Sequence, residues 1–517
     1  MTFAYNSEKY IEACAESVIR QTLKDVEWVV IDNGCTDGTY DILKKYAEKD
    51  QRIRVYRNKE NSHKEGAVYE YEDYYAAISL VRGEYFATLD SDDIYEVSFA
   101  EEMYRAARKA DADMAVCGNE FVEEVTGQSQ GYRVPPCFSG SVEELCRRLP
   151  EFYGCLRPMW GKLYRLDTWM KHEVYLREHL SGMRNGADTY VNLKFLSVSH
   201  RVVGVNKSLH RYLVRNNSVY FSNIYADRYK SYDLIFLEGM SLLTYMDAAS
   251  NENVAFLSIV HFNSMLDLLE IAAKSAAAPG EKIRYLIKST LSPVFLMYMN
   301  QIPSGETKKY FQPMFQMIYE LLCQLIQAGQ MSKAFLTEVR TFLGYFQGGN
   351  QSDGLCKARN VLEEYQNKLE ELKPMCDGAS AEKNASLLMR KSEECPLRVV
   401  SDPEFYLTYS DICFMVLQEK YSEALETMST VLLEEESISD RETFLQLYIT
   451  VAAAIENESA FIYGKFQIAW LLLEKRQIDN CKEVIGELVE MGMAQHKELR
   501  LLKQKVEAEE VKRNEEK

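Results

Sequence analysis

The first part of the chain alternates between two hydrophobic periodicities. Ile11, Cys14, Ala15, Val18 and Ile19 recur at the i, i+3, i+4, i+7, i+8 spacing that lines one face of a helix, with Ser7 as its N-cap. Glu27–Ile31 (EWVVI) is a short, β-branched apolar run that predicts a buried strand. It ends in the turn sequence Asp32-Asn33-Gly34-Cys35-Thr36-Asp37-Gly38-Thr39, and a second helix follows over Tyr40–Glu48. Ile53–Tyr56 alternates as a strand. Tyr85–Leu89 is a further buried strand that ends at Asp90. Phe99, Met103 and Ala107 then mark a helix, Met114–Cys117 a strand, and Ser141-x-x-Glu144 a capping box. Strands alternating with helices predict an α/β domain with a mostly parallel, Rossmann-like sheet, in which ligands bind at the carboxyl ends of strands. Asp32 and Asp90 fall at such ends.

Beyond about residue 225 the strand signal fades and long helical patterns take over. The expected organisation is an α/β domain over 1–224, a helical domain over 225–347, a linker and helix over 348–400, and helical hairpins over 401–517. Linker composition appears at 348–354 and 374–386. Two helix–turn–helix stretches, Glu404–Leu433 and Phe461–Met491, share an apolar helix, a Glu-Lys turn and a small residue at Ala424 or Cys481. They resemble tetratricopeptide repeats, with an ordinary helical bundle as the alternative.

Composition narrows the function classes. With 517 residues and 47% hydrophobic content the chain can build several cores. A net charge of -18 argues against a nucleic-acid partner, which needs dense Lys and Arg. The 12 cysteines form no C-x-x-C pair, which disfavours a zinc ribbon and suits a reducing, cytoplasmic setting. The opening residues lack the basic and apolar regions of a secretory leader. The apolar stretches near Phe256–Leu269 and Leu286–Met299 are interrupted by His261, Asp267 and Lys288, so no membrane span is expected.

Asp90-Ser91-Asp92-Asp93 is the principal chemical candidate. Alternate residues of an extended segment point the same way, so Asp90 and Asp92 face one ligand together. Two carboxylates at a strand end suit Mg²⁺ or Mn²⁺ with open positions for phosphate oxygens. An acidic turn capping the next helix is the plainer alternative for this segment alone.

Several segments, in order, resemble the family 2 glycosyltransferases of the GT-A fold. They are Tyr5-Asn6-Ser7-Glu8-Lys9-Tyr10-Ile11, the Glu16-Ser17-Val18 and Gln21-Thr22 steps, VVIDNGCTDGT, RGEYFATLDSDD, Trp160-Gly161-Lys162-Leu163-Tyr164, Gly186-Ala187-Asp188-Thr189-Tyr190, and Tyr212-Leu213-Val214-Arg215-Asn216. The resemblance covers residues 1 to about 222. It implies a nucleotide-diphospho-sugar transferase sheet and an inverting hexosyl- or hexosaminyltransferase that moves a sugar from a nucleotide-sugar donor, most often a UDP-sugar, to a hydroxyl of a glycan or glycoconjugate. Tyr5 and Asp32 would hold the nucleotide base, with Glu8 supporting them. Asp90 would contact donor and metal, and Asp92 the metal. Asp188 would be the general base. His210 would be a further metal ligand, and Arg211 and Arg215 would contact the diphosphate. The resemblance also implies work at the inner face of a bacterial membrane on cell-surface polysaccharide. The C-terminal helices would position an acceptor or a protein partner.

Four departures limit these expectations. The family's first strand is nearly absent before Tyr5, which would leave its neighbours with unpaired backbone groups and suggests a start upstream of Met1. Asp32-Asn33-Gly34-Cys35 replaces Asp-Asp-Gly-Ser. A Tyr-rich stretch, Tyr69–Tyr75, replaces an Arg-Asn segment. Ala187 replaces a Glu before Asp188, which leaves that carboxylate in apolar surroundings that raise its pKa. A nucleotidyltransferase would need a Gly-rich basic loop after the first strand, and a nicotinamide enzyme a G-x-G-x-x-G, and neither is present. A catalytically silent, transferase-like binding or scaffold protein is the alternative from another class.

Overall fold

The structure is a computed structural model. It describes residues 1–59, 76–178, 183, 185–215, 228–298, 302, 304–330, 420–434 and 441–515, together with isolated positions at 180, 335, 339, 342, 361, 411, 412, 415 and 416. The linkers expected at 348–354 and 374–386, the Tyr69–Tyr75 stretch, and most of the first helix of the first repeat-like hairpin lie outside the described residues. The chain divides into two compact units, Met1–Ala277 and Ala278–Lys517.

The first unit opens with three parallel strands in the order β1 (Thr2–Ala4), β2 (Trp28–Asp32), β3 (Ile53–Arg57). Every residue of β2 is buried, as its unbroken apolar run predicts for a strand covered on both faces. Helices α1 (Ile11–Ile19) and α2 (Thr39–Lys49) contribute Ile11, Cys14, Ala15 and Leu43 to the core beneath the strands. The Ser7 hydroxyl does not cap α1. Tyr10 stands at the N-cap, and Ser7 Oγ lies 2.6 Å from Ser91 Oγ instead. A long-range partner outcompeted the local cap.

Short as it is, β1 pairs with β2 from Thr2↔Val30 to Ala4↔Asp32. On its other side the Met1 amine donates to Ala87 O at 2.8 Å, and Leu89 N–H donates to Met1 O at 3.0 Å. The backbone groups at this point are therefore satisfied. Burial lowers the pKa of that amine to about 6. A cavity of about 510 Å³ opens beside Met1, walled by Glu27–Val29 on one side and Gly83–Ala87 on the other.

The second sheet has the path β4 (Tyr85–Phe86), β9 (Lys162–Arg165), β6 (Met114–Glu123), β10 (Arg201–Val214), β5 (Ile94–Tyr95), with β7 (Ser129–Arg133) on β6 and β8 (Phe138–Ser141) on β10. Here β6 and β10 run parallel and the other pairs antiparallel. Parallel pairing is thus concentrated in the N-terminal strands and at the sheet's centre. The strand read at Tyr85–Leu89 pairs with β9 over two residues only, and beyond them Ala87 and Leu89 bond to Met1. Around the sheets stand α3 (Phe99–Ala110), α4 (Val142–Cys146), α5 (Leu149–Leu156), α6 (Leu166–Lys171), α7 (Glu173–Arg177) and α8 (Ala187–Ser197). The capping box at Ser141 and Glu144 forms as read from the sequence.

Helices α9 (Arg228–Tyr245) and α10 (Asn251–Lys274) complete this unit, so it extends past the composition change near 225. Asn253 Nδ2 donates to Cys146 O at 2.8 Å, and Phe256 meets the Tyr153 ring at 5.4 Å. By length and hydropathy α10 could cross a membrane, contrary to the sequence expectation. Its His261 instead meets Asp233 of α9 at 2.7 Å, both buried, and Leu257, Met265 and Leu268 face the interior of the unit.

In the second unit α11 (Pro279–Thr290), α12 (Pro293–Tyr298) and α13 (Ser304–Gln327) precede α14 (Tyr421–Glu434), α15 (Arg441–Ala454), α16 (Glu458–Glu474), α17 (Ile478–Glu490) and α18 (Lys497–Glu515). From α14 onward each helix packs on the next around Met428, Phe444, Ala469, Cys481 and Leu502. The turn read at Glu474–Arg476 is closed by Gln477 N–H donating to Leu472 O at 2.9 Å, with Arg476 left-handed at φ 56°.

Strand β6 tolerates only glycine where β7 turns away. A Cβ on Gly118 would lie 2.5 Å from Arg133 O and 2.7 Å from Val134 Cα, both backbone atoms. Gly118→Ala is expected to destabilise the first unit by about 1–3 kcal/mol, as overpacking does. A urea or thermal unfolding curve superimposable on that of the parent chain would refute this.

Candidate active site

The chain leaving β4 passes through Leu89 and reverses at Asp90, where Asp93 N–H donates to Asp90 O at 3.1 Å. Two contacts anchor the reversal from the first sheet's side: Ser91 Oγ to Ser7, and the Cys14 thiol to Asp90 O at 3.6 Å. The three carboxylates diverge. Asp90 is open to solvent and, among the described residues, accepts no hydrogen bond. Asp92 is ion-paired with Arg215 at the end of β10. Asp93 is buried, accepts the Leu213 N–H at 2.9 Å, and stands 3.1 Å from His210 Nε2 at an angle too poor for a hydrogen bond.

The electrostatics follow from this crowding. Enclosing protein and the like charges of Asp93, Asp92 and Asp188 push Asp90 well above the usual carboxylate range, and Arg215 opposes them. Asp90 meets solvent, yet the protein packed around its carboxylate governs its charge. Burial followed by Asp92 raises Asp93 in the same way. Burial lowers His210 to about 3, so its imidazole is neutral at physiological pH. Its ring stacks on Trp160 at 4.3 Å, and Trp160 in turn stacks on Tyr212 at 5.4 Å. Burial and then Asp93, Asp90 and Asp92 raise the Tyr212 phenol.

Asp188 occupies the first turn of α8, where the helix dipole favours an anion, after Gly186 at φ 70°. Its side chain does not cap its own helix. It accepts the Met159 N–H at 3.3 Å from the segment between α5 and β9. The sequence expectation of a raised pKa holds, and the larger cause is enclosure by the surrounding protein.

The nucleotide-binding candidates separate. Tyr5 is 46% exposed. Glu8 accepts Gly38 N–H at 3.0 Å and holds the turn before α2. Asp32 is completely buried: one oxygen accepts Cys35 N–H at 2.9 Å and the other lies 2.9 Å from Arg57 Nε. The carboxylate read as facing a base therefore closes its own turn and holds Arg57, which lies over the Tyr40 ring at 4.1 Å. Arg211 lies near Glu96 at 2.9 Å and Glu120 at 3.3 Å, away from Asp92, so only Arg215 of the two arginines reaches the carboxylates. Sequence reasoning gave no role to Arg57, Tyr212, Trp160 or Lys162. Trp160 and Lys162 lay inside a quoted motif, but nothing local signals that a lysine in a strand is buried.

With this geometry in place, comparison with known proteins is informative. Residues 1–173 match the family described as Glycosyl transferase family 2. The N-terminal domain is a family 2 glycosyltransferase domain. The chain is 28% identical over 232 residues to glycosyltransferase GlyA of Streptococcus pneumoniae serotype 4, covering 44% of this chain and 31% of GlyA. It is 29% identical over 220 residues to glycosyltransferase GlyG of the same organism, covering 42% of this chain and 70% of GlyG. The match thus spans less than a third of GlyA's length. Among solved structures, S. aureus TarS 1–349 in complex with UDP gives a TM-score of 0.38 at 17% identity, over 71% of this chain and 90% of that one. A score that low describes partial likeness only.

A cation suits the charge of the site. The charges of Asp93 and Asp92 already raise the proton affinity of Asp90. In the ligand set itself, no three His, Cys, Asp or Glu side chains among the described residues converge as a metal site, and His210 faces Asp93 beneath Trp160. Asp90 and Asp92 are the groups that would hold Mn²⁺ or Mg²⁺, with Arg215 displaced from Asp92.

Asp93 gives a stability test. Its folded-state pKa is raised, so its contribution is fully present below the unfolded carboxylate pKa and is lost as pH rises through the folded value. Asp93→Asn keeps an acceptor for Leu213 N–H and offers a donor to neutral His210. The variant should melt higher than the parent at pH 8, with the gap closing toward pH 4 in thermal scans. A gap that is constant or reversed with pH would count against the assignment.

Proposed function

We propose that the family 2 domain transfers a sugar from a nucleoside diphosphate donor, a UDP-sugar, to a hydroxyl of a glycan or glycoconjugate, with inversion at the anomeric carbon. The observation that carries this reading is the clustering of Asp90, Asp92 and Asp188. These three carboxylates, from two separate parts of the chain, are close enough for Asp92 and Asp188 each to raise the pKa of Asp90. This clustering supports a donor diphosphate held beside a carboxylate that takes the acceptor proton.

In this reading Tyr5 offers its exposed ring to the base, and Asp32 shapes the adjoining turn and aims Arg57. Asp90 and Asp92 would hold a divalent cation, which would supply positive charge against the departing diphosphate. Arg215, released from Asp92, turns to the same phosphate oxygens. Asp188 takes the proton from the acceptor hydroxyl as that oxygen bonds to the anomeric carbon and the bond to the diphosphate oxygen breaks. The C-terminal helices receive the acceptor or a protein partner, and the polymer served is a cell-surface polysaccharide built where nucleotide sugars are available. Arg215 on Asp92 favours a second reading, a transferase-like binding module in which the arginine permanently replaces the cation.

A panel of UDP-sugars with Mn²⁺ separates the two. Release of UDP from one donor, abolished in Asp92→Ala and lowered about 10²–10⁴-fold in Asp188→Asn, supports transfer. Since Asp188 is raised above its usual range, the rate should fall on acidification at a higher pH than an ordinary carboxylate would give. Binding of a donor without turnover would support the module.

A further inference from the structure

The ammonium of Lys162 is completely buried and, among the described residues, forms no ion pair. It donates to three backbone carbonyls: Cys155 O at 2.6 Å, Pro158 O, and Trp160 O at 3.4 Å. Other carbonyls of this segment are also taken by side chains. Asn192 Nδ2 donates to Leu156 O at 2.7 Å and to Pro158 O at 2.9 Å. Thr189 Oγ1 donates to Arg157 O at 3.1 Å, and the Tyr164 hydroxyl donates to Asn192 Oδ1 at 2.6 Å, which steadies that amide. The carbonyls of Cys155, Leu156, Arg157, Pro158 and Trp160 therefore all accept from β9 or α8. Peptide units whose carbonyls are bound on one side expose their N–H on the other, and the Met159 N–H meets the Asp188 carboxylate at 3.3 Å.

An apolar residue would fill the place of Lys162 without the cost of burying an ammonium. Asn192 and Thr189 alone would leave the Cys155 and Trp160 carbonyls buried without a donor. Lys162 supplies both and gathers them toward one point.

We infer that Lys162 is a positioning residue for the transfer reaction: by drawing the carbonyls of Cys155, Pro158 and Trp160 inward, it turns the Met159 amide outward and fixes the Asp188 carboxylate. This rests on Asp188 being the base. Lys162 touches no substrate and acts through the backbone and its charge. The groups facing the pair support a charge link. Around Lys162 stand Cys155, Cys117, Asp188 and Arg133, and burial lowers its pKa to about 7. Around Asp188 the Met159 N–H and then Lys162 favour the ionised form, while Asp90 and Tyr164 also face it.

The test compares the full chain with Lys162→Met, using the UDP-sugar that the chain turns over and water as the acceptor. Turnover, donor KM and their pH profiles are measured. Lys162→Met should lower kcat on the order of 10²-fold, as a misplaced group does, with donor KM within about twofold because the carboxylates at 90–93 are untouched. Its acid limb should move to higher pH, since the cation that favoured ionised Asp188 is gone. A purely structural loss would lower the amount of folded protein without moving that limb. A folded Lys162→Met with the parent's kcat and acid limb overturns the inference. If the variant shows no cooperative melting, the parent chain decides: its kcat should fall as pH rises through about 7, where Lys162 loses its proton, and a flat profile there overturns it. Unchanged kcat in Asp188→Asn would instead overturn the base assignment itself, whatever Lys162→Met does.

Discussion

Carboxylate repulsion governs the architecture around the candidate site. Asp90, Asp92, Asp93 and Asp188 crowd into one region, and each neighbouring device manages that charge differently. Arg215 neutralises Asp92, and the Leu213 N–H binds Asp93. The start of α8 and the Met159 N–H serve Asp188. Asp90 alone has no partner among the described residues and absorbs the remainder as a raised pKa. A concentration of negative charge left incompletely paired beside open solvent marks the segment as a candidate functional site.

The scaffold meets this constraint from both sheets. The first sheet anchors the reversal at Asp90 through Ser7 and Cys14, while β10 of the second supplies Leu213, His210 and Arg215. The site therefore depends on the register between elements far apart in sequence. The tie from Met1 to Ala87 and Leu89 joins the short first strand to the segment that carries the carboxylates.

Much of this was legible from the sequence. Strand β2, helices α2 and α3, the capping box at Ser141 and the placement of Asp90 after a strand follow from local periodicity and turn chemistry. What was not legible depended on distant partners. Ser7 has the chemistry of an N-cap, but Ser91 claims its hydroxyl. Asp32 looked available to a ligand until Arg57 and Cys35 enclosed it. His261 looked like a charge that breaks an apolar span, but Asp233, 28 residues away, pairs with it inside the fold. Lys162 gave no local sign of burial, because the three carbonyls it binds come from a segment whose path only tertiary packing decides.

The Trp160 stack has a consequence for optical spectroscopy. The chain has 4 tryptophans. Trp28 donates its indole N–H to Thr2, Trp169 is sealed in the core, and Trp470 belongs to the second unit. Trp160 alone is pressed between the neutral imidazole of His210 and the Tyr212 ring. Its emission therefore reports on the packing of His210 and Tyr212, so a change at those two rings can be followed without a label.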